Sequence, residues 1–245
     1  MVYMIIMPAF VSDRVYNAIC TDIDINIVDS MEYQFITPGS LLTMIKENGL
    51  DPEGKNLNII DLESIEGLLT GVRELESVEV FCTVDSVLHI EADQRDPLMR
   101  VITAYGNNYY IDKEGNVIPH SSVYTPRLIV VSGNVEVPDI SIKGTSIMEQ
   151  SENTLIKEAY KLARFIGDDK FWDSLVEQIY IDAGGEFEIV PRLGDHIIRF
   201  GKPYNYEWKF KILKTFYTET LASAGWDRYD EIDMRFEGQL VCKRK

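Results

Sequence analysis

The chain has 245 residues, 24 basic and 40 acidic side chains, and a formal net charge of −16. An apolar fraction of 45% is enough to fill the core of one large domain or two modest ones. The acidic balance argues against DNA, RNA or an anionic lipid surface as partner, because each is bound through clustered Lys and Arg.

The opening run Met1–Val11 is apolar and uncharged, yet shorter than the roughly 18–20 residues that cross a bilayer. No Lys or Arg precedes it, and Ser12-Asp13-Arg14 does not make a small-residue cleavage site. A buried strand, a start placed too late, or the outer end of a longer anchor all fit. From Cys20 the pattern changes to strict alternation, with Ile23, Ile25 and Ile27 on one face and Asp22, Asp24 and Asn26 on the other, which predicts a half-buried strand. Thr37-Pro38 starts a helix, Thr37 as N-cap and Pro38 at the first turn, with Leu41, Leu42 and Ile45 as its stripe and Gly49 behind it. Asp61 caps a second, with Leu62, Ile65, Leu68 and Leu69, stopped by Gly71. Strands Val78–Thr83 and Val87–Ala92 follow around a turn at Asp85-Ser86. Strand, helix, helix, strand, strand makes a small α+β unit.

Pro97 breaks this pattern and marks a boundary near residue 95. Beyond it strands dominate: Met99–Ala104, Asn108–Ile111, Val117-Ile118 and Leu128–Val131, with a turn at Asp112–Gly115. A helix is expected over Ser151–Ile166 with Gly167 after it, then a helical turn at Phe171, Trp172 and Leu175. Strands return at Glu177–Ile181, Phe187–Val190 and His196–Phe200. A long helix carries Trp208, Ile212, Leu213, Phe216 and Leu221 as far as Gly225. The last strand is read as Ile232–Cys242, with Ile232, Met234 and Phe236 inward and Asp233, Arg235 and Glu237 outward.

No motif for catalysis emerges. Cys20, Cys82 and Cys242 lie far apart and form no CxxC pair, so they are read as three half-buried thiols, with one bridge left open in an oxidising space. His89, His120 and His196 have no metal-ligand spacing. Asp22-x-Asp24-x-Asn26 opens like a calcium loop, but that loop needs Gly sixth and Glu twelfth, where Ile27 and Tyr33 stand. Gly184-Gly185 is a turn without a phosphate cradle, and 40 acids single out no glycosidase pair. No cofactor and no metal are expected, and no enzymatic activity.

Several residues, taken in order, carry a resemblance. They are Gln94-Arg95-x-Pro97, Tyr109-Tyr110-Ile111-Asp112 with Gly115 and Pro119, Val131-x-Gly133, and Trp172 before Gln178-Ile179. Pro191-x-x-Gly194 and the closing Ile232-Asp233-x-Arg235-Phe236 through Gln239-Leu240-Val241-Cys242 complete the series. From about Cys20 onward the chain resembles the bacterial cell-division family FtsQ/DivIB, and its closing segment resembles members from the Bacteroidetes. The resemblance implies residues 1–18 as the apolar remnant of a membrane anchor, a POTRA domain over 19–95 and a mostly antiparallel β domain with flanking helices over 96–245. It further implies a single-pass inner-membrane protein with its bulk in the periplasm, acting as a scaffold for FtsB- and FtsL-type partners at septum formation. The partner-binding residues it implies are Met234, Arg235, Phe236, Gln239, Leu240, Val241 and Cys242, on a sheet edge that accepts a partner strand. The overall acidity suits a partner segment bearing Lys or Arg. Another POTRA-bearing secretion or outer-membrane assembly factor is the alternative, and a secreted hydrolase a third class.

Overall fold

The computed structural model describes residues 18–28, 34–121, 124–135, 146–149 and 154–245. The opening run through residue 17 and the expected helix start at Ser151 lie outside them. Two compact units result, one of the chain up to Arg95 with Ser121–Thr125, the other of Asp96–His120 with Pro126–Lys245.

In the first unit β1 (Asp22–Val28) is followed by helices α1 (Pro38–Glu47) and α2 (Leu62–Thr70), then by β2 (Leu75–Cys82) and β3 (Val87–Gln94). Thr37 caps α1 in a capping box with Ser40, and Asp61 caps α2 by accepting from Ser64 N at 2.9 Å. Each such cap supplies about 1 kcal/mol. The hairpin turns on Ser86, whose φ of 70° is left-handed. The sheet order is β1-β3-β2, with β1 parallel and β2 antiparallel to the central strand. Leu41, Ile45, Ile65 and Leu69 from the helices bury against Val78, Val80, Leu88 and Ile90 on one sheet face.

The second unit is one nine-stranded sheet in the order β12-β11-β10-β9-β8-β7-β4-β5-β6. Its strands are β4 (Pro97–Thr103), β5 (Asn108–Asp112), β6 (Val117–Pro119), β7 (Ile129–Gly133), β8 (Val176–Ile181), β9 (Phe187–Pro191), β10 (Ile197–Gly201), β11 (Tyr229–Asp233) and β12 (Val241–Arg244). Five of its ladders are antiparallel, and β4–β7, β7–β8 and β10–β11 are parallel. The described residues are thus α+β, a β-α-α-β-β unit followed by a mostly antiparallel sheet with few helices. The last two parallel pairs follow from helical crossovers. Helices α3 (Thr154–Asp168) and α4 (Lys170–Leu175) join β7 to β8, and α5 (Tyr206–Thr215) joins β10 to β11. Both crossovers step the same way from strands that run the same way, so right-handedness puts all three helices on one face. Ile156, Leu162, Ile166, Trp172, Phe210, Leu213 and Tyr217 bury there against Val131, Ile179, Ile189, Ile198 and Ile232. On the opposite face Arg199 of β10 bridges Glu188 of β9 at 2.6 Å and Glu231 of β11 at 2.7 Å.

Gly133 shows why the centre of the sheet tolerates one residue only. Its φ is 99°, and a Cβ there would stand 2.2 Å from the Ile181 carbonyl oxygen.

Three expectations need correction. Helix α3 does not stop before Gly167 but runs through it to Asp168, because Gly167 has only Leu98 nearby and no left-handed turn follows. The buried stripe of α5 and the helical run after it is Phe210, Leu213, Tyr217 and Leu221, whereas Trp208 is 43% exposed. A π-helical run over Phe216–Leu221 adds a residue to that turn and shifts the stripe. Most consequentially, Ile232–Cys242 is not one strand. β11 ends at Asp233, a turn with Gly238 at φ 71° reverses the chain, and β12 pairs back with Ile232 opposite Cys242. Asp233 is therefore buried under Arg235 instead of solvated, and Phe236, at the turn, is 53% exposed instead of inward.

Candidate partner-docking surface

β12 is the terminal strand of the sheet, bonded to β11 on one side and to no strand on the other among the described residues. Such an edge carries N–H and C=O groups available to another chain. Its side chains alternate between the two sheet faces. Val241 is exposed, while Cys242 faces α5, where burial pushes its thiol pKa up.

Helix α5 and the 234–240 turn frame two clefts against this edge. The first, of about 540 Å³, lies between Tyr204, Trp208 and Lys209 on one side and Met234, Arg235 and Phe236 on the other. The second, of about 550 Å³, lies between Trp208, Ile212 and Phe216 of the helix region and Leu240 and Cys242. Trp208 is the shared wall. Of the residues named from the sequence, Met234, Arg235 and Phe236 line the first cleft, and Leu240 and Cys242 the second. Val241 sits on the open edge, and Gln239 closes the turn with its N–H donating to Phe236 O at 3.3 Å.

Electrostatics fix the turn in place. Arg235 donates to the Asp233 carboxylate through Nη2 at 2.6 Å and Nε at 3.0 Å, and reaches Glu186 at 3.5 Å. These bonds from Arg235 hold the Asp233 carboxyl below the usual carboxylate range. Lys209 is buried, its Nζ donating to Phe200 O at 2.6 Å and Lys202 O at 3.0 Å. Beneath the helix, His196 Nε2 and Tyr217 Oη share a 2.5 Å hydrogen bond, and burial lowers the imidazole pKa. β12 itself carries Lys243 and Arg244, Lys245 pairs with Asp195 at 2.9 Å, and the neighbouring β11 carries Asp230, Glu231 and Asp233, so this corner is of mixed charge.

Sequence reasoning missed Tyr204, Trp208 and Lys209. Trp208 had a readable signal: it stands two residues before Phe210, off the 210–213–217 stripe, and so turns away from the core. The histidines lie in separate places. His89 contacts Asp24 at 3.1 Å and Thr83 at 3.0 Å, and His120 stacks on Tyr110. The three cysteines are free thiols, Cys20 buried and the other two half-buried. Among the described residues no group of three His, Cys, Asp or Glu is placed to hold a metal ion.

A β-α-α-β-β unit followed by a large edge-bearing sheet defines an interaction module of the POTRA-plus-β type. Comparison with family models agrees: residues 18–93 match the POTRA-like domain, and residues 96–243 match the domain described as FtsQ/DivIB, C-terminal related. The chain belongs to the FtsQ/DivIB family. That family comprises membrane-anchored, periplasmic, non-enzymatic scaffolds of cell division whose partners are divisome proteins. No curated protein matches the chain in sequence. Among the described residues no helix is long and apolar enough to cross a membrane.

Proposed function

We propose that this chain links early and late proteins of the division machinery from the extracytoplasmic side of the inner membrane, held there by an N-terminal anchor. In this reading its FtsB- and FtsL-type partners dock on the β12 corner. In the same reading residues 19–95 are the POTRA domain and 96–245 the β domain. The observation that carries the proposal is the open edge of β12 beside two clefts, with Trp208, Phe236 and Val241 exposed around it. A partner segment adding as a strand would gain ladder bonds from the edge and place alternate side chains over the clefts. Lys243 and Arg244 of β12 favour an acidic side chain on the added strand, beside the Lys or Arg that the overall acidity suits.

The test uses peptides copied from the C-terminal extracytoplasmic segment of the FtsB-type protein of the same genome. Two versions are N-methylated on alternate residues, in opposite phase. Strand addition requires that one phase abolish binding and the other leave it, since alternate N–H groups face the edge. Equal binding by both phases would place the docking contact elsewhere. Depletion in the native host should give filaments without septa.

A further inference from the structure

We infer that Lys209 is a positioning residue of the docking surface: it holds the turn between β10 and α5 so that Tyr204 stands as a wall of the cleft it shares with Trp208 and Phe236. The inference rests on the docking reading above and deepens it.

Lys209 is 5% exposed, which is unusual for a lysine, and its ammonium is spent inside the protein. Two of its three hydrogens go to the carbonyls of Phe200 and Lys202, at 2.6 and 3.0 Å. The same Nζ lies 4.6 Å from the Phe200 ring centroid and 5.1 Å from that of Tyr204, close enough for cation–π attraction to both. All these contacts converge on one segment, Phe200–Asn205. That segment needs holding. Gly201 has φ 73°, and Asn205, a non-glycine, has φ 51° with no side-chain bond capping the helix it starts. A left-handed non-glycine persists only where its surroundings over-determine it. Tyr204 is 62% exposed, so packing alone does not orient its ring. The ammonium beneath it does. Burial pulls the Lys209 pKa down, while Glu186 and Asp233 favour its charged form. An apolar side chain of equal length would fill the volume but leave two carbonyls unpaired and release the ring.

The experiment measures the affinity of the full chain for the unmodified FtsB-type peptide. Its variants are Lys209→Met, Lys209→Gln, Lys209→Arg, Tyr204→Ala and the double change Lys209→Met with Tyr204→Ala. Lys209→Met and Tyr204→Ala should each weaken binding about tenfold, as loss of one anchor does. The double variant should be no weaker than Tyr204→Ala alone, because the lysine acts through the tyrosine. Lys209→Arg, which can donate to both carbonyls, should recover most of the loss. Should Lys209→Met lose its near-ultraviolet circular dichroism, Lys209→Gln keeps one carbonyl bonded and takes its place in the cycle. Wild-type affinity in a folded Lys209→Met or Lys209→Gln variant, or losses that multiply in the double variant, would overturn the inference. A wild-type chain that does not bind the peptide would overturn the docking reading, and this inference with it.

Discussion

The two edges of the nine-stranded sheet are built differently. At one end β6 has three residues and closes on Pro119, which has no N–H to offer a neighbour. At the other, β12 has four residues without proline, and Trp208, Phe236 and Val241 lie exposed beside it. Short strands and prolines are the usual ways of closing an edge, and lysine is another. β12, itself short at four residues, lacks the proline and has Lys243 with Arg244. A charged edge repels copies of itself and unselected apolar strands, but a complementary strand neutralises it. The difference is that one edge carries a proline where a strand would seek an N–H, while the other, on the docking proposal, stays open to a complementary strand.

The largest effect tests whether both edges depend on the middle of the sheet. Gly133 ends β7, between them, and the Cβ of Gly133→Ala would meet Ile181 O at 2.2 Å on a backbone of φ 99°. Unfolding or a loss above about 3 kcal/mol in urea is expected, since strain and overpacking combine. A stable variant would mean that β7 and β8 move apart freely.

Next in size is a direct attack on one edge. In β12, the N–H groups of Cys242 and Lys243 point to opposite sides, one to β11 and one outward. Of Cys242→Pro and Lys243→Pro, one should lose capture of the FtsB-type peptide by about 100-fold with its urea midpoint kept, as expected when main-chain bonds carry affinity. The other should lose stability as well. Val117→Lys on β6 should leave capture unchanged, whatever stability it costs where Val117 packs on the core. If both β12 variants are destabilised equally, or both still bind, the contrast between the edges has no functional content.

A smaller effect separates the clefts from ordinary exposed aromatics. Trp208→Ala and Phe236→Ala should each weaken the peptide by about tenfold, the cost of removing an aromatic anchor. Tyr105, more exposed than either at 91%, stands in the turn between β4 and β5 and lines neither cleft. Tyr105→Ala should leave affinity unchanged within a factor of two. Equal losses from all three would indicate a general surface effect measured by the assay.

How far the sequence reaches follows from the range of each force. The Ile23-Ile25-Ile27 alternation, the Thr37 and Asp61 caps and the Asp112–Gly115 turn are set by neighbours within a few residues, and each is legible. Asp112 even bonds the backbone N–H groups of Glu114 and Asn116 from its buried carboxylate. The parallel β7–β8 and β10–β11 pairs are legible in hindsight from the helices between them. The last hairpin is not. Ile232-Asp233-Met234-Arg235-Phe236 alternates perfectly, but Arg235 folds back on Asp233 and reaches Glu186, 49 residues earlier. The reversal is made at the turn with Gly238, whose φ is 71°, and the alternation of the residues before it does not report that turn. The candidate surface is legible as a stretch of chain, 234–242, and not as a shape, because its other wall comes from α5.

The smallest effect concerns pH at the β12 end. His196 is buried at the start of β10 and bonded to Tyr217, with Asp195, Asp227 and the Trp226 carbonyl favouring its proton and Lys245 opposing it. Burial outweighs them, so the folded-state pKa lies below the ordinary value of 6.5. Between the two pKa values the unfolded chain binds more protons than the folded one, and stability therefore rises with pH there. The contribution is complete above the unfolded value and fades as pH falls through about 6.5 towards the folded pKa. The urea midpoint should thus drop between pH 7.5 and pH 5.5, a range in which the lowered carboxylates Asp169 and Asp233 stay ionised. His196→Gln, which keeps a polar group towards Tyr217 without titrating, should flatten that slope while lowering the midpoint at pH 7.5. β6, at the far end, has no buried histidine, and its exposed neighbour His120 only stacks on Tyr110. A slope that survives His196→Gln would mean that another group titrates in this window, and that the β12 end owes nothing to the buried imidazole.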